Sequence, residues 1–179
     1  MGYTGGTTQD PTYGNLGDHT ETIQIDYDPD QISYEKLLEV FWRSHDPTTR
    51  SWSRQYMSAL FFHNDEQRRL AIKTRDFQAS QRGQKIYTRI LPAPAFYLAE
   101  AYHQKHALGS DRPLMEVLRP LYKTNNDFMN STAVAKVNGY VGGHGTIASL
   151  EAELTRLALP TEVIREVLDI LQGYGRKPL

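Results

Sequence analysis

The sequence predicts an α/β (α+β) fold in which helices pack on a sheet, followed by an all-helical C-terminal region. Three observations predict it. Up to about residue 108, short segments with an apolar period of two alternate with segments whose apolar residues recur at helical spacing, the succession of a layered strand-and-helix domain. Turn-forming Gly, Pro, Thr and Asn separate these segments. Beyond Pro113 the strand signal disappears and only short helical stripes remain.

Residues 1–17, rich in Gly, Thr, Pro and Asn, read as turns and loop. Residues 21–28 alternate, with Ile23, Ile25 and Tyr27 on one side and Thr22, Gln24 and Asp26 on the other, so a half-buried strand is expected with Glu21 at its mouth. Ser33 is placed to accept from free amides of a first helical turn, ahead of a helix running to about His45 with Leu37, Leu38, Phe41 and Trp42 as its apolar stripe. Pro47 ends it, and Asp46 can cap or orient backbone amides there. Residues 56–63 read as a second strand. Asn64, with Gln67 three positions later, resembles a capping box that opens a helix stopping at Gly83. Ile86, Thr88 and Ile90 alternate with Tyr87, Arg89 and Leu91 in a third strand, and a helix is expected from Pro94 to about Leu108. After that, Leu114, Val117, Leu118 and Leu121, then Leu150, Leu154 and Leu157, then Val163, Ile164, Val167, Leu168 and Leu171 mark amphipathic helices, with glycine-rich residues 138–145 as a flexible loop between them.

Composition narrows the function. The 179 residues, 39% hydrophobic and 23% charged, suit one globular domain with a small appendage. With 20 basic against 21 acidic residues, nothing points to a general nucleic-acid or anionic-membrane surface. No apolar run approaches the roughly 20 residues that span a bilayer, and the polar start is unlike a signal peptide, so a cytoplasmic location is expected. The absence of cysteine excludes a disulfide, a thiolate metal site and a cysteine nucleophile within this polypeptide. His19, His45, His103 and His106 match no metal-ligand spacing, and His103 and His106 fall at i and i+3 of an expected helix, so no metal is expected. The glycines of residues 2–6 and 139–145 form neither a phosphate-binding loop nor a complete dinucleotide fingerprint.

Glu21, Tyr13 and Tyr56 are the residue types that would handle a polarised oxygen. A carboxylic acid in an apolar setting can donate a proton, and phenols can aim further hydrogen bonds at the same atom. The plainer alternative is a solvated Glu at a strand start and two of 11 tyrosines serving as half-buried packing.

Several motifs then fall in a recognisable order: Gly2-Tyr3-Thr4-Gly5-Gly6, Pro11-Thr12-Tyr13, His19-Thr20-Glu21, Tyr27-Asp28-Pro29 followed by Ile32-Ser33-Tyr34, Phe41-Trp42, His45-Asp46-Pro47, Gln55-Tyr56, and Phe96-Tyr97 through Tyr102-His103-Gln104-Lys105. This set resembles the peptide methionine sulfoxide reductase A family over residues 2–108. The resemblance implies a two-layer sandwich of a mixed sheet with packed helices and a ferredoxin-like core. It also implies an N-terminally truncated reductase-like domain, residues 1–112, lacking its first strand and helix, and a helical C-terminal extension, residues 113–179, packing on it. The implied activity is thiol-dependent reduction of methionine S-sulfoxide in peptides and proteins, a repair reaction under oxidative stress. A cysteine thiolate attacks sulfur while an acid protonates oxygen, and the resulting sulfenic acid is resolved by another thiol and reduced by thioredoxin, or by dithiothreitol in its place, with no bound cofactor.

Carried over residue by residue, the family's catalytic acid falls on Glu21 of Asp18-His19-Thr20-Glu21, where the family has Gly-His-Ala-Glu, and His19 falls with it at the substrate site. Tyr13 and Tyr56 match the phenols that bind the substrate oxygen. Nothing matches the nucleophile of the Gly-Cys-Phe-Trp motif, which precedes the Gly-Tyr-x-Gly-Gly turn in the family. Met57 replaces the usual Arg, and Ser51 stands where the pocket Asp would fall. Tyr140, Val141 and His144 occupy the sort of glycine-rich tail that carries recycling cysteines in many members, without a thiol.

The expectation is therefore a chain without thiol-dependent reductase activity. It is either a fragment cut downstream of the nucleophile or a non-catalytic methionine-sulfoxide-binding or interaction protein. A hydrolase pairing Glu21 with Asp26 or Asp28 has no motif of its own. A missing strand predicts an unpaired sheet edge and exposed apolar helix faces.

Overall fold

The protein, seen in a computed structural model, is described for residues 1–174. It divides into two compact units, Met1–Glu100 and a second that begins at Ala101. The first unit is mixed α/β, with strands β1 (Gly2–Thr4), β2 (Thr20–Thr22), β3 (Ala59–Phe62), β4 (Arg89–Pro92) and β5 (Tyr97–Leu98) and helices α1 (Tyr34–Arg43) and α2 (Asp65–Arg82). Both parallel and antiparallel pairing occur, in two small sheets. β1 is the middle strand of an antiparallel sheet ordered β2-β1-β5, with Tyr3 opposite both Glu21 and Tyr97. β3 and β4 pair in parallel with Leu60 opposite Ile90, and α2 is the helical crossover that parallel pairing requires.

Both helices start and stop where local chemistry places them. Ser33 accepts from the Lys36 amide at the head of α1. Asn64 accepts from the Gln67 amide at the head of α2, and Gly83 closes that helix in the left-handed region at φ 59°, which a residue lacking Cβ adopts without strain. In place of a reciprocal box, the Gln67 side chain accepts from His63 N at 2.9 Å. Leu38, Trp42 and Leu70 form the core between α1 and α2, with Leu60 and Ile86 packed against it.

Four strand and helix expectations up to residue 108 need correction. The strand expected over 21–28 stops at Thr22, where the β1 ladder ends at Gly2 opposite Thr22. Past that point no described strand lies alongside to satisfy the backbone, and Ile23 and Ile25 are 66% and 54% exposed despite their alternation. The strands expected over 56–63 and 86–91 shorten to Ala59–Phe62 and Arg89–Pro92, the residues that face each other in register. The helix expected from Pro94 to Leu108 is instead β5, a 3₁₀ turn over Ala101–His103 and the single-turn helix α3 (His106–Gly109). Pairing with β1 overrides the local pattern there, and Ala99 N continues the ladder by donating to Met1 O.

The second unit is helical. After α3 come α4 (Arg112–Leu118), a 3₁₀ turn (Arg119–Leu121), α5 (Asn125–Asn130), α6 (Thr132–Val141), α7 (Ile147–Leu157) and α8 (Thr161–Tyr174). Its core gathers Leu108, Leu114, Leu118, Val134, Val137, Leu150, Val163 and Val167. Leu114, Leu118, Leu150, Val163 and Val167 are residues that the stripes single out. Leu108 precedes the boundary expected at 112/113, yet it belongs to this core, and its amide donates to Asn138 Oδ1. The loop expected over 138–145 begins later, because Asn138 to Val141 complete the last turn of α6. Tyr140 is buried there, and its hydroxyl donates to Glu153 at 2.9 Å. His103 and His106 do not share a helix, since Lys105 lies between them in the left-handed region at φ 49°. No helix among the described residues is long and apolar enough to cross a membrane.

Leu118 is fully buried, so Leu118→Ala removes apolar contacts and leaves a void in a core that does not collapse freely. It should cost about 2–5 kcal/mol, read as a lower urea midpoint with retained helical circular dichroism in the folded baseline.

Candidate functional site

The candidate site lies in the first unit and is assembled on β2 and two loops. The glycine-rich turn after β1 comes first. Gly5 sits at φ +84°, and a Cβ there would meet Phe61 at 2.9 Å, so both conformation and space demand glycine. Past it, Asp18 gathers the next residues: Oδ1 accepts from Thr7 N at 2.7 Å and Thr8 N at 3.2 Å, and Oδ2 accepts from the Thr7 hydroxyl. The Thr7 amide is the main reason that the Asp18 carboxyl lies well below the usual carboxylate range; partial desolvation opposes the shift, and the Thr8 amide and Thr7 hydroxyl add to it.

His19 locks the same turn from beneath. It is buried at 1% exposure, with Nδ1 accepting from Gly6 N and Nε2 2.8 Å from Thr8 O. Those contacts define one neutral tautomer, with the proton on Nε2. Both ring nitrogens are thus occupied by backbone, and His19 holds the turn in place of presenting a ring nitrogen to a ligand.

β2 then carries Glu21, half-buried, to the loop that closes over it. Glu21 N donates to Gln55 O at 3.0 Å, the Thr20 hydroxyl donates to Arg54 O at 3.0 Å, and Gln55 Nε2 donates to Glu21 Oε1 at 2.6 Å. The same Gln55 amide donates to the Tyr56 hydroxyl at 3.1 Å. Tyr56 is linked in turn to Tyr13: this hydrogen bond is the main cause pushing the Tyr56 phenol above its ordinary value, with burial and the charges of Tyr13 and Glu21 adding to it. A raised phenol stays a neutral donor through the physiological range. Glu21, Gln55, Tyr56 and Tyr13 form one connected chain, with Tyr13 and Tyr56 about half exposed at 45% and 44%.

Tyr13 is positioned by Glu100. Its backbone amide donates to Glu100 Oε1 at 2.9 Å, and Glu100 Oε2 accepts from the hydroxyl of fully buried Tyr3 at 2.6 Å. Gln55 enters the sequence reading only as part of the Gln55-Tyr56 motif, and Glu100 only within the span from Phe96 to Lys105, so their work as connectors is missed. No local signal marks them, because their partners lie 34, 87 and 97 positions away.

The other residues singled out by sequence lie elsewhere. Asp28 accepts from Asp30 N and from the Gln31 side chain, folding back on its own turn, and the Gln31 contact is the main reason that its carboxyl is lowered. Asp26 is exposed. Ser51 donates to Ser53 O and closes a turn of its own, and Met57 Sδ lies 4.0 Å from Arg89 Nη1. Asp46 accepts from Thr48 N and from both the Thr48 and Thr49 hydroxyls, capping the turn after α1 as its position suggests. His45 Nε2 meets the Ser58 hydroxyl at 2.8 Å, which also meets Thr88 Oγ1, tying the end of α1 to β3 and β4. Among the described residues no three His, Asp or Glu side chains gather as a metal site.

Chemically, the arrangement offers one carboxyl, one amide and two phenols converging on a half-open surface. It suits a small polar ligand atom that accepts hydrogen bonds, such as a polarised oxygen.

Two family models and several known proteins match this chain. Residues 1–126 match the family model of peptide methionine sulfoxide reductase, and residues 124–172 match that of the helical domain of selenoprotein methionine sulfoxide reductase A. A peptide methionine sulfoxide reductase of Drosophila melanogaster is 38% identical over 165 residues, covering 90% of this chain and 66% of the relative. A peptide methionine sulfoxide reductase A5 of Oryza sativa subsp. japonica is 40% identical, covering 78% of this chain and 57% of the relative. The chain thus spans less than two thirds of the length of these two relatives. Among solved structures, reduced Mxr1 of Saccharomyces cerevisiae superposes with a TM-score of 0.57 at 31% identity, covering 63% of this chain and 69% of that one.

Asp18→Asn tests the turn that holds the site. A carboxyl whose folded value is depressed stabilises the fold above its unfolded value of about 3.9, and that stabilisation is lost as pH falls from there toward the folded value. The substitution should lower the thermal midpoint at neutral pH, and the gap from the unsubstituted chain should narrow as the pH falls below about 4. Thermal unfolding followed by circular dichroism across that range reads it out. A gap independent of pH would show that the charge is not what holds the turn.

Proposed function

The chain belongs to the peptide methionine sulfoxide reductase family, and on that premise we propose that Glu21, Tyr13 and Tyr56 bind the sulfoxide oxygen of methionine S-sulfoxide in peptides and proteins. The observation that carries this reading is the connected chain Glu21–Gln55–Tyr56–Tyr13 on the rim of the first unit. A sulfoxide oxygen is a strong acceptor with no proton of its own, and this surface presents phenol donors beside a carboxyl that can be protonated. Gln55 sits between acid and phenol and sets their spacing.

Binding is the part of the family's chemistry that these residues support. Reduction requires a sulfur nucleophile that attacks the substrate sulfur, takes the oxygen as a sulfenic acid and returns to thiol at the expense of thioredoxin or another dithiol. This polypeptide has no cysteine, and Ser and Thr hydroxyls cannot cycle through those oxidation states. The 179-residue chain is therefore a methionine-sulfoxide-binding member of the family that does not turn over by itself, with protein-bound methionine sulfoxide as its partner. Where a thiolate is brought to the bound sulfur, Glu21 is the group placed to protonate the departing oxygen.

Two measurements test this. A short neutral peptide carrying methionine S-sulfoxide should bind with a clear preference over the unoxidised peptide and the R epimer, and Tyr56→Phe should weaken it about 3–10-fold, the worth of one hydrogen bond. Equal binding of oxidised and unoxidised peptide would overturn the reading. Incubation with dithiothreitol should convert none of the peptide's methionine sulfoxide to peptide-bound methionine, and turnover by the cysteine-free chain would overturn the inactive assignment.

A further inference from the structure

A second feature of the first unit is a cavity of about 580 Å³ lined on one side by residues 49–54, 57 and 58 and on the other by Lys85, Tyr87 and Arg89. Four of its lining side chains are cationic, Arg50, Arg54, Lys85 and Arg89, and no Asp or Glu lines it. Among the described residues none of the four forms an ion pair, although other surface cations of this chain do. Where they have contacts, these are neutral. Arg54 Nη2 donates to Gly5 O at 2.6 Å, Arg89 lies against the Met57 sulfur, and Lys85 Nζ stands 5.1 Å from the centre of the Tyr87 ring. Four like charges around one concavity repel one another, and an anion placed there removes that cost. The neighbouring hydroxyls are already engaged: Ser51 with Ser53, Ser58 with His45 and Thr88, and Thr49 with Asp46. Charge is what the cavity has to offer a ligand.

The cavity and the oxygen site share one loop. Arg54 O and Gln55 O are tied to Thr20 and Glu21 of β2, while the Arg54 side chain lines the cavity. Trp52 lines the cavity too, and its ring lies 5.5 Å from that of Tyr56 in the oxygen site. Trp52 is 84% exposed, a large apolar ring left in solvent beside concentrated positive charge. Such a pairing fits a chain segment that lays an apolar stretch on the ring and an acidic side chain among the cations.

We infer that this cavity is a subsite for acidic side chains that flank methionine sulfoxide in a bound peptide, so that the protein selects oxidised methionines in acidic sequence contexts. The inference rests on the sulfoxide-binding reading of Glu21, Tyr13 and Tyr56 and names the substrate class of that site. A peptide fits better than a nucleic acid because the charge is confined to one cavity in a chain of net charge −1, with no basic stripe to follow a phosphate backbone.

The chain supplies its own probe, since Trp42 is 2% exposed and Trp52 is the tryptophan open to a ligand. Intrinsic fluorescence titrations would use three peptides: a neutral one with methionine S-sulfoxide, the same peptide with two aspartates beside the sulfoxide, and the acidic peptide with unoxidised methionine. The acidic sulfoxide peptide should bind at least tenfold more tightly than the neutral one at low ionic strength, and raising salt to about 0.3 M should shrink that advantage by screening. Arg50→Gln with Lys85→Gln, a pair outside the oxygen site, should abolish the acidic advantage and leave the neutral sulfoxide peptide unchanged, with circular dichroism confirming the fold. An unchanged advantage in the double variant, or none in the unsubstituted chain, overturns the inference. If the neutral peptide still distinguishes sulfoxide from methionine in that case, the oxygen-site reading survives alone. An acidic advantage without any sulfoxide preference means that the cavity binds acids but the oxygen-site reading fails, and the inference as stated falls with it. A short single-stranded oligonucleotide that displaces the acidic peptide at lower concentration also overturns it.

Discussion

Strand β1 carries more of this architecture than its three residues suggest. Gly2 to Thr4 pair on one side with β2, which presents Glu21, and on the other with β5, which leads to Glu100. The side chain of Tyr3, buried completely, reaches Glu100, whose other oxygen holds the backbone of Tyr13. One short strand therefore sets the separation between the acid and the first phenol. The turn that follows it is held by two consecutive side chains, with Asp18 gathering amides from above and His19 bridging backbone from below. Without those anchors the Gly5–Gly6 turn would have the conformational freedom that glycine brings, and the loop bearing Tyr13 would share it.

The loop of residues 49–58 is the second organising element, and it joins two different kinds of electrostatics. At Glu21 it supplies the neutral Gln55 amide, which donates to the carboxyl and to the Tyr56 hydroxyl, and among the described residues no ion pair to Glu21 accompanies it. A few residues away it supplies Arg50 and Arg54 to the cavity, where Arg54 donates to the Gly5 carbonyl.

What was legible in the sequence depended on how far apart the interacting residues lie. The starts of α1 and α2 and the stop of α2 were read correctly from Ser33, Asn64 and Gly83, because a cap is a contact between residues three or four positions apart. Buried stripes such as Leu114 with Leu118 and Val163 with Val167 were legible for the same reason, one helical turn bringing them onto one face. The strand over 21–28 failed because alternation states which faces a strand would have and says nothing of whether a neighbour exists to pair with it. Residues 97–98 were missed for the converse reason, a partner strand recruiting a segment whose own pattern was ambiguous. α5 and α6 escaped notice because Asn, Gly and Thr dilute their stripes, although Thr124 and Ser131 cap them in the structure.

The sequence by itself determined the family resemblance and the absence of any thiol, and it singled out Glu21, Tyr13 and Tyr56 as candidates, since each is a matter of residue type and order along the chain. Only the tertiary structure decided that Gln55 links Glu21 to Tyr56, that Glu100 holds Tyr13, that His19 is spent on backbone, and that four cations converge with no carboxylate among them. Hydrogen-bond and charge partnerships between residues tens of positions apart leave no period in the local sequence. They come into being only when the strands pair and the loops close.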